Sequence, residues 1–309
     1  MTLRRLTRSQ EETRGTPPEG SRQRTARSCC FGLIVGLTLV AFAVPLRMLF
    51  QLSLQEPQYS YILLVPVVSA LLFFRERGTS FANVEVGWRA GVGLLGAGAL
   101  LEWSGHRYSV SPSEHDQLFI TISSLVVTWV GGFILCFGRR ALQMAMFPVL
   151  FLFLIVPIPE VLLNRAIVWL QTGSAEVSHG AFQLLGVPVF RSGFIFALPG
   201  VTIEIARECS GIRSSLALVI TSLVAGHLFL QDVWRKAVFT LATIPLLMAK
   251  NGVRIVTLSL LSIYVDSSFL SGRLHHEGGI LFFLLALVIL MPLLWLLQKQ
   301  ERRRRMITC

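Results

Sequence analysis

The sequence predicts an all-α polytopic membrane protein of about eight transmembrane helices, with a small extracytoplasmic helix and β-hairpin inserted before the sixth. Three observations lead there. Hydrophobic residues are 53% of the 309 and charged residues 15%, where a soluble domain carries about 25% charged. Eight stretches approach the roughly 20 apolar residues that a helix needs to cross a bilayer. Basic residues gather on alternate connecting segments, as in a chain threaded back and forth through a membrane.

Residues 1–28 hold seven Arg among Ser, Thr, Gly and Pro, and read as a disordered basic cytoplasmic tail. The membrane domain follows over 29–298, with spans near 30–50, 59–74, 88–104, 117–137, 141–158, 214–230, 237–263 and 279–298. The first is too long for a signal-peptide core and lacks a small-residue cleavage site, so it reads as an anchor. Residues 299–309 form a second basic cytoplasmic tail.

A net charge of +11 raises the question of nucleic acid, and the placement of that charge answers it. Nineteen of the 28 Lys and Arg fall in the N-tail, Arg75 to Arg89, Arg139-Arg140, Arg235-Lys236 and Lys299 to Arg305. With eight crossings these segments share one face; seven of the rest lie opposite, and Lys250 and Arg254 lie within a span. Positive charge marks the cytoplasmic side. Both termini are therefore expected inside a cytoplasmic (inner) membrane, with the basic patches meeting anionic lipid rather than nucleic acid.

In this orientation residues 158–212 stay outside. Glu160 to Leu185 mixes apolar residues with Asn164, Arg165, Gln171, Glu176 and His179, and predicts a helix in or on the interface rather than a ninth span. The period then changes. Val189-Phe190, Phe194 to Leu198 and Val201 to Ala206 are short β-type runs, punctuated by Ser192-Gly193 and Pro199-Gly200. Alternation puts Val201, Ile203 and Ile205 on one side and Thr202 and Glu204 on the other. A small hairpin is expected, leading into Cys209.

Of the five cysteines, Cys29, Cys30 and Cys309 fall on the cytoplasmic side and Cys136 near an inner span end. Cys209 alone is expected to face outward. No CxxC, no Cys/His metal spacing, no HExxH and no Gly-rich phosphate loop occurs, so no metal and no cofactor is predicted. Cys209 stands among Arg207, Glu208 and Arg213, and a thiolate, the reactive form, is favoured by nearby cations. Arg254 lies ten residues from the outer end of the seventh span, ~15 Å of helix rise below it. His275 and His276 open the eighth, beside Glu277 and Gly278-Gly279. Charge counting thus brings three distant positions to the outer half of the bilayer. Acyl transfer would use Cys209 as nucleophile, a His as proton carrier and Arg254 as stabiliser of the developing oxyanion. Lys250 stands one turn before Arg254 on the same face, and can share its cavity or serve structure alone. Plainer roles are a Cys that fills space, an Arg that snorkels to headgroups and histidines in an ordinary loop.

Glu208-Cys209-Ser210-Gly211-Ile212-Arg213-Ser214 resembles the Cys motif of the exosortase and archaeosortase family. Asn251-Gly252-Val253-Arg254-Ile255 is similar to its Arg motif, and His275-His276-Glu277-Gly278-Gly279 to its His motif. Order, separations and the eight-span layout agree. The resemblance implies a membrane-embedded cysteine transpeptidase with Cys209 as acyl-thioester nucleophile, Arg254 as second catalytic residue and His275 as third. His276, Lys250 and Arg213 are alternative or supporting residues. Implied partners are exported proteins ending in a short motif, a transmembrane helix and a basic cluster, and a polysaccharide or lipid acceptor at the cell surface. Two rivals stand beside it: a transporter or flippase component binding an anionic substrate through Arg254 and Lys250, and an acyltransferase using Cys209 or Ser210 on a lipid donor.

Overall fold

A computed structural model describes residues 19–76, 87–107, 113–270 and 279–308. The chain divides into two compact units, the first covering Met1–Gln55 and Ile62–Pro157, the second Glu56–Tyr61 and Ile158–Cys309.

In the first unit α1 (Glu19–Ala41) starts inside the segment read as a tail, once Pro17 and Pro18 are passed and helix-compatible Arg, Gln and Ala follow. It bends by 73° into α2 (Ala43–Gln55). Pro45 lies in the first turn of α2 and has no N–H to continue the ladder across the join. α3 (Leu64–Glu76) continues a 3₁₀ turn over Pro57–Leu63. α4 (Trp88–Arg107) packs along α5 (Glu114–Met144), with Ser124 Oγ donating to Glu102 Oε2 at 2.7 Å. Trp129 Nε1 of α5 donates to Thr38 Oγ1 of α1 at 2.7 Å. Such side-chain pairs hold helices together where lipid gives no hydrophobic drive. Gly138 breaks the helical geometry of α5, and α6 (Met146–Leu152) ends in a 3₁₀ turn at Phe153–Ile155.

The second unit carries α7 (Glu160–Leu184), three short strands, α8 (Ile212–Phe229), α9 (Val233–Tyr264) and α10 (Gly279–Thr308). The segment expected as an interfacial helix is the continuous α7 of 25 residues. Pro157 and Pro159 mark its start, since neither can donate to a helix ladder. Tyr59 Oη donates to Ile158 O there, at 3.2 Å. Buried Leu163, Ile167, Leu170, Ser174, Ser178 and Phe182 form one stripe of α7, which packs on α9.

The β segment is a three-stranded antiparallel meander, β1 (Phe190–Ser192), β2 (Ile195–Leu198) and β3 (Val201–Glu204), rather than a two-stranded hairpin. Both turns expected from the sequence are made, through Gly193 (φ 62°) and Gly200 (φ 79°), so all three runs pair. Phe196, Leu198, Ile203 and Ile205 bury one face against Phe182 and Val256, while Thr202 and Glu204 are exposed.

At the other end of this unit Glu301 of α10 is buried. Its carboxylate accepts from the backbone N–H groups of Gln231 and Asp232, at 2.9 to 3.2 Å, and pairs with Arg235 at 3.7 Å.

Among the described residues, five helices are long and apolar enough to cross a membrane, or up to seven if each bent pair is one span. α4 has 20 residues but is not among them, with many glycines and with Arg89 and Glu102 lowering its apolar character. The expected span 141–158 is divided between the end of α5, the short α6 and its 3₁₀ turn. α10 exposes Ile280, Leu281, Leu284, Leu285, Val288 and Ile289 in its first turns, a run that only lipid would cover at this size. The protein is a multi-pass, helical membrane protein.

Candidate active site

Cys209 lies in a 3₁₀ turn, Arg207–Ser210, between the end of β3 and the start of α8. The turn is tied down from several sides. Gln171 Nε2 of α7 donates to Ile205 O at 2.8 Å, and Arg207 donates to Asn164 Oδ1. The Cys209 N–H donates to Ala206 O at 3.0 Å. From α9, Asn251 Nδ2 donates to Cys209 O and to Ser174 Oγ, each at 3.0 Å. Buried amides of this kind are costly to leave unpaired, which gives the network its rigidity.

Gly211 links the turn to α8 with φ 74°, a left-handed conformation that side chains rarely adopt. A Cβ there would also meet Asn251 Oδ1 at 2.8 Å. Gly252 plays a related part on α9, where an added Cβ would lie 2.5 Å from Val177 Cγ1 of α7. Two glycines therefore let α7, α9 and the Cys209 turn approach closely.

Cys209 and Arg254 line one small cavity with Ile203, Glu204, Ile205 and Leu258, among others. Its volume of about 40 Å³ holds a water molecule or two. Both residues are half-buried. Cys209 and Arg254 thus share a space whose walls are largely apolar, and such a setting strengthens electrostatic interactions. Arg254 stands ten residues before the end of α9, as charge counting and the sequence pattern anticipate.

The other expected residues are arranged differently. Lys250, 7% exposed, donates to Ser214 Oγ of α8 and is not among the described residues lining the cavity. Arg213 is exposed at the second position of α8 and does not line it either. His275 and His276, with Glu277, lie outside the described residues.

Sequence reasoning missed Gln171 and Ser174, and treated Asn251 only as part of a motif. The signal was a polar stripe on an otherwise apolar helix face: Gln171, Ser174 and Ser178 recur at helical spacing on α7, and all three are buried. Ser178 Oγ reaches Gly252 O of α9 at 3.4 Å.

The transmembrane exosortase family model matches residues 51–292, which includes the Cys209 turn, α8, α9 and most of the apolar part of α10. No curated protein and no solved structure matches. With most of its length matched, and with a Cys and an Arg from separate motifs on one cavity wall, the chain belongs to the transmembrane exosortase family.

Proposed function

We propose that this protein is a membrane-embedded cysteine peptidase and transpeptidase that cleaves a C-terminal sorting signal from exported proteins and passes them to a cell-surface acceptor. The observation that carries the reading is the shared cavity of Cys209 and Arg254, which come from different elements. In this reaction the Cys209 thiolate attacks the carbonyl carbon of the scissile peptide bond. Arg254 stabilises the oxyanion that forms. The C–N bond breaks, and the amine leaves with a proton delivered by His275, or by His276 beside it. The substrate acyl group stays on sulfur as a thioester. A nucleophile on a polysaccharide or lipid acceptor attacks that thioester, gives up its proton to the same imidazole and regenerates the thiol.

The topology that goes with this reading has eight crossings, with α4 as the third and residues 141–158 as the fifth. Basic residues 1–28 and 299–309 are then cytoplasmic, 29–298 is the membrane domain of an inner-membrane protein, and 158–212 lies on the outer side with the site. The transporter reading needs Lys250 beside Arg254 on an anion path. Lys250 donates to Ser214 Oγ and is not among the described residues lining the cavity of Cys209 and Arg254, which favours a packing role.

The test is Cys209→Ala. Cleavage of a co-expressed exported protein carrying such a signal should cease, with membrane abundance unchanged. Cys209→Ser should keep little activity, because a hydroxyl has no comparable ionisation near neutral pH. Normal cleavage by Cys209→Ala would remove Cys209 from the reaction and return the question to transport.

A further inference from the structure

Asn251 is 2% exposed and lies one turn before Arg254 on the same helix. Its amide nitrogen carries two N–H donors, and both are engaged: one by Ser174 Oγ, the other by the carbonyl of Cys209 itself. The Cys209 N–H is bound in turn to Ala206 O. The peptide groups on both sides of the Cys209 Cα are therefore anchored, and peptide planes are stiff. What remains to the thiol is rotation about its own Cα–Cβ bond.

The anchor on the carbonyl side comes from the helix that carries Arg254. Asn251 and Arg254, three residues apart, lie on neighbouring positions of one face of α9. One holds the backbone of Cys209 and the other shares its cavity. A shift of the turn relative to α9 would separate sulfur from guanidinium, and misplacement by about 1 Å is enough to cost roughly a hundredfold in rate.

We propose that Asn251 is a positioning residue, holding the Cys209 nucleophile at a fixed place relative to Arg254 without touching substrate. This rests on the reading of Cys209 as nucleophile. A purely structural role for the same side chain would be to stitch α7 to α9 through Ser174, and its two donors allow the roles to be separated.

The experiment uses the full-length protein in membranes, with cleavage of a co-expressed signal-bearing protein measured at equal enzyme abundance. Asn251→Ala should lower cleavage by roughly tenfold to a hundredfold. Ser174→Ala breaks the other bond of the same amide, leaves the Cys209 tether in place and should cost less than threefold. Asn251→Asp supplies a pH readout. Its carboxylate cannot donate, whereas the protonated acid can; burial favours the protonated form, while Lys250 and Arg254 on the same helix favour the carboxylate and move the transition to lower pH. The ratio of Asn251→Asp to Asn251→Ala cleavage should therefore rise as pH falls, even if both are slow. Ser174→Ala as damaging as Asn251→Ala, or an Asp-to-Ala ratio flat with pH, would overturn the proposal. A Cys209→Ala control run alongside separates this result from failure of the nucleophile itself: if that variant cleaves normally, the whole cysteine mechanism is wrong, whatever Asn251 does.

Discussion

Gly211→Ala should be markedly more damaging than Gly193→Ala, although both positions have positive φ, 74° and 62°. Placing an L side chain in the left-handed region costs about 1–2 kcal/mol, and this term is common to the two variants. At Gly193 an added methyl meets nothing within 4 Å. At Gly211 it would sit 2.8 Å from Asn251 Oδ1 and 3.0 Å from Asn251 Cγ, too close for either to stay. Asn251 is buried and can yield only by loosening its bonds to Cys209 and Ser174. At about 1 kcal/mol net for each hydrogen bond, this adds roughly 2 kcal/mol. Gly211→Ala is therefore expected to lose about 3–4 kcal/mol in total and Gly193→Ala about 1–2 kcal/mol. Thermal inactivation of the detergent-solubilised protein, followed by loss of substrate cleavage, gives the ranking. Equal losses in the two variants would mean that Asn251 gives way at no cost, and that the network around Cys209 is not the stiff frame described above.

Arg254→Lys should be nearly as inactive as Arg254→Ala, a loss of about a hundred- to a thousandfold, because an ammonium lacks the planar fork of donors. Near-normal cleavage by the Lys variant at equal abundance would reduce Arg254 to an anchor at the headgroups. A membrane-impermeant maleimide applied to intact cells should modify Cys209 and leave Cys29 and Cys30 unmodified; the reverse pattern would invert the topology. Glu301→Ala should destabilise the second unit by about 1–3 kcal/mol, since it leaves the Gln231 and Asp232 N–H groups without their acceptor, while Arg235 keeps its pair with Asp232. A thermal midpoint within a degree of the parent protein would show that solvent replaces the carboxylate there.

How far the sequence could be read depended on the range of the interaction concerned. The alternation of Val201, Ile203 and Ile205 is local, and the structure buries Ile203 and Ile205 while exposing Thr202 and Glu204. The approach of Arg254 to Cys209 is long-range, yet it was anticipated because span parity and helix rise together fix depth in a membrane. Rotation about a helix axis is not fixed in that way. Lys250 and Arg254 share a face by spacing, and still Lys250 turns to Ser214 of α8 while Arg254 reaches the cavity. The start of α7 was marked by Pro157 and Pro159, but prolines announce a helix break without giving the path of the chain through it. Gln171 and Ser174 carried the weakest signal. Small polar residues on an apolar helix are common, and only the partner across the contact shows what they hold.

The carboxylate of Glu301 has a consequence for how the protein is made. Gln231 and Asp232, whose amides it accepts, lie in the turn that joins α8 to α9; α8 follows the Cys209 turn and α9 carries Arg254. Their partner is encoded about 70 residues later, near the end of the last helix. While the ribosome is still extending the chain, that turn has only water to satisfy it. The hairpin acquires this cap only when α10 packs against it. Assembly around the candidate site is thereby coupled to docking of α10, and a chain cut before Glu301 would lack that clasp.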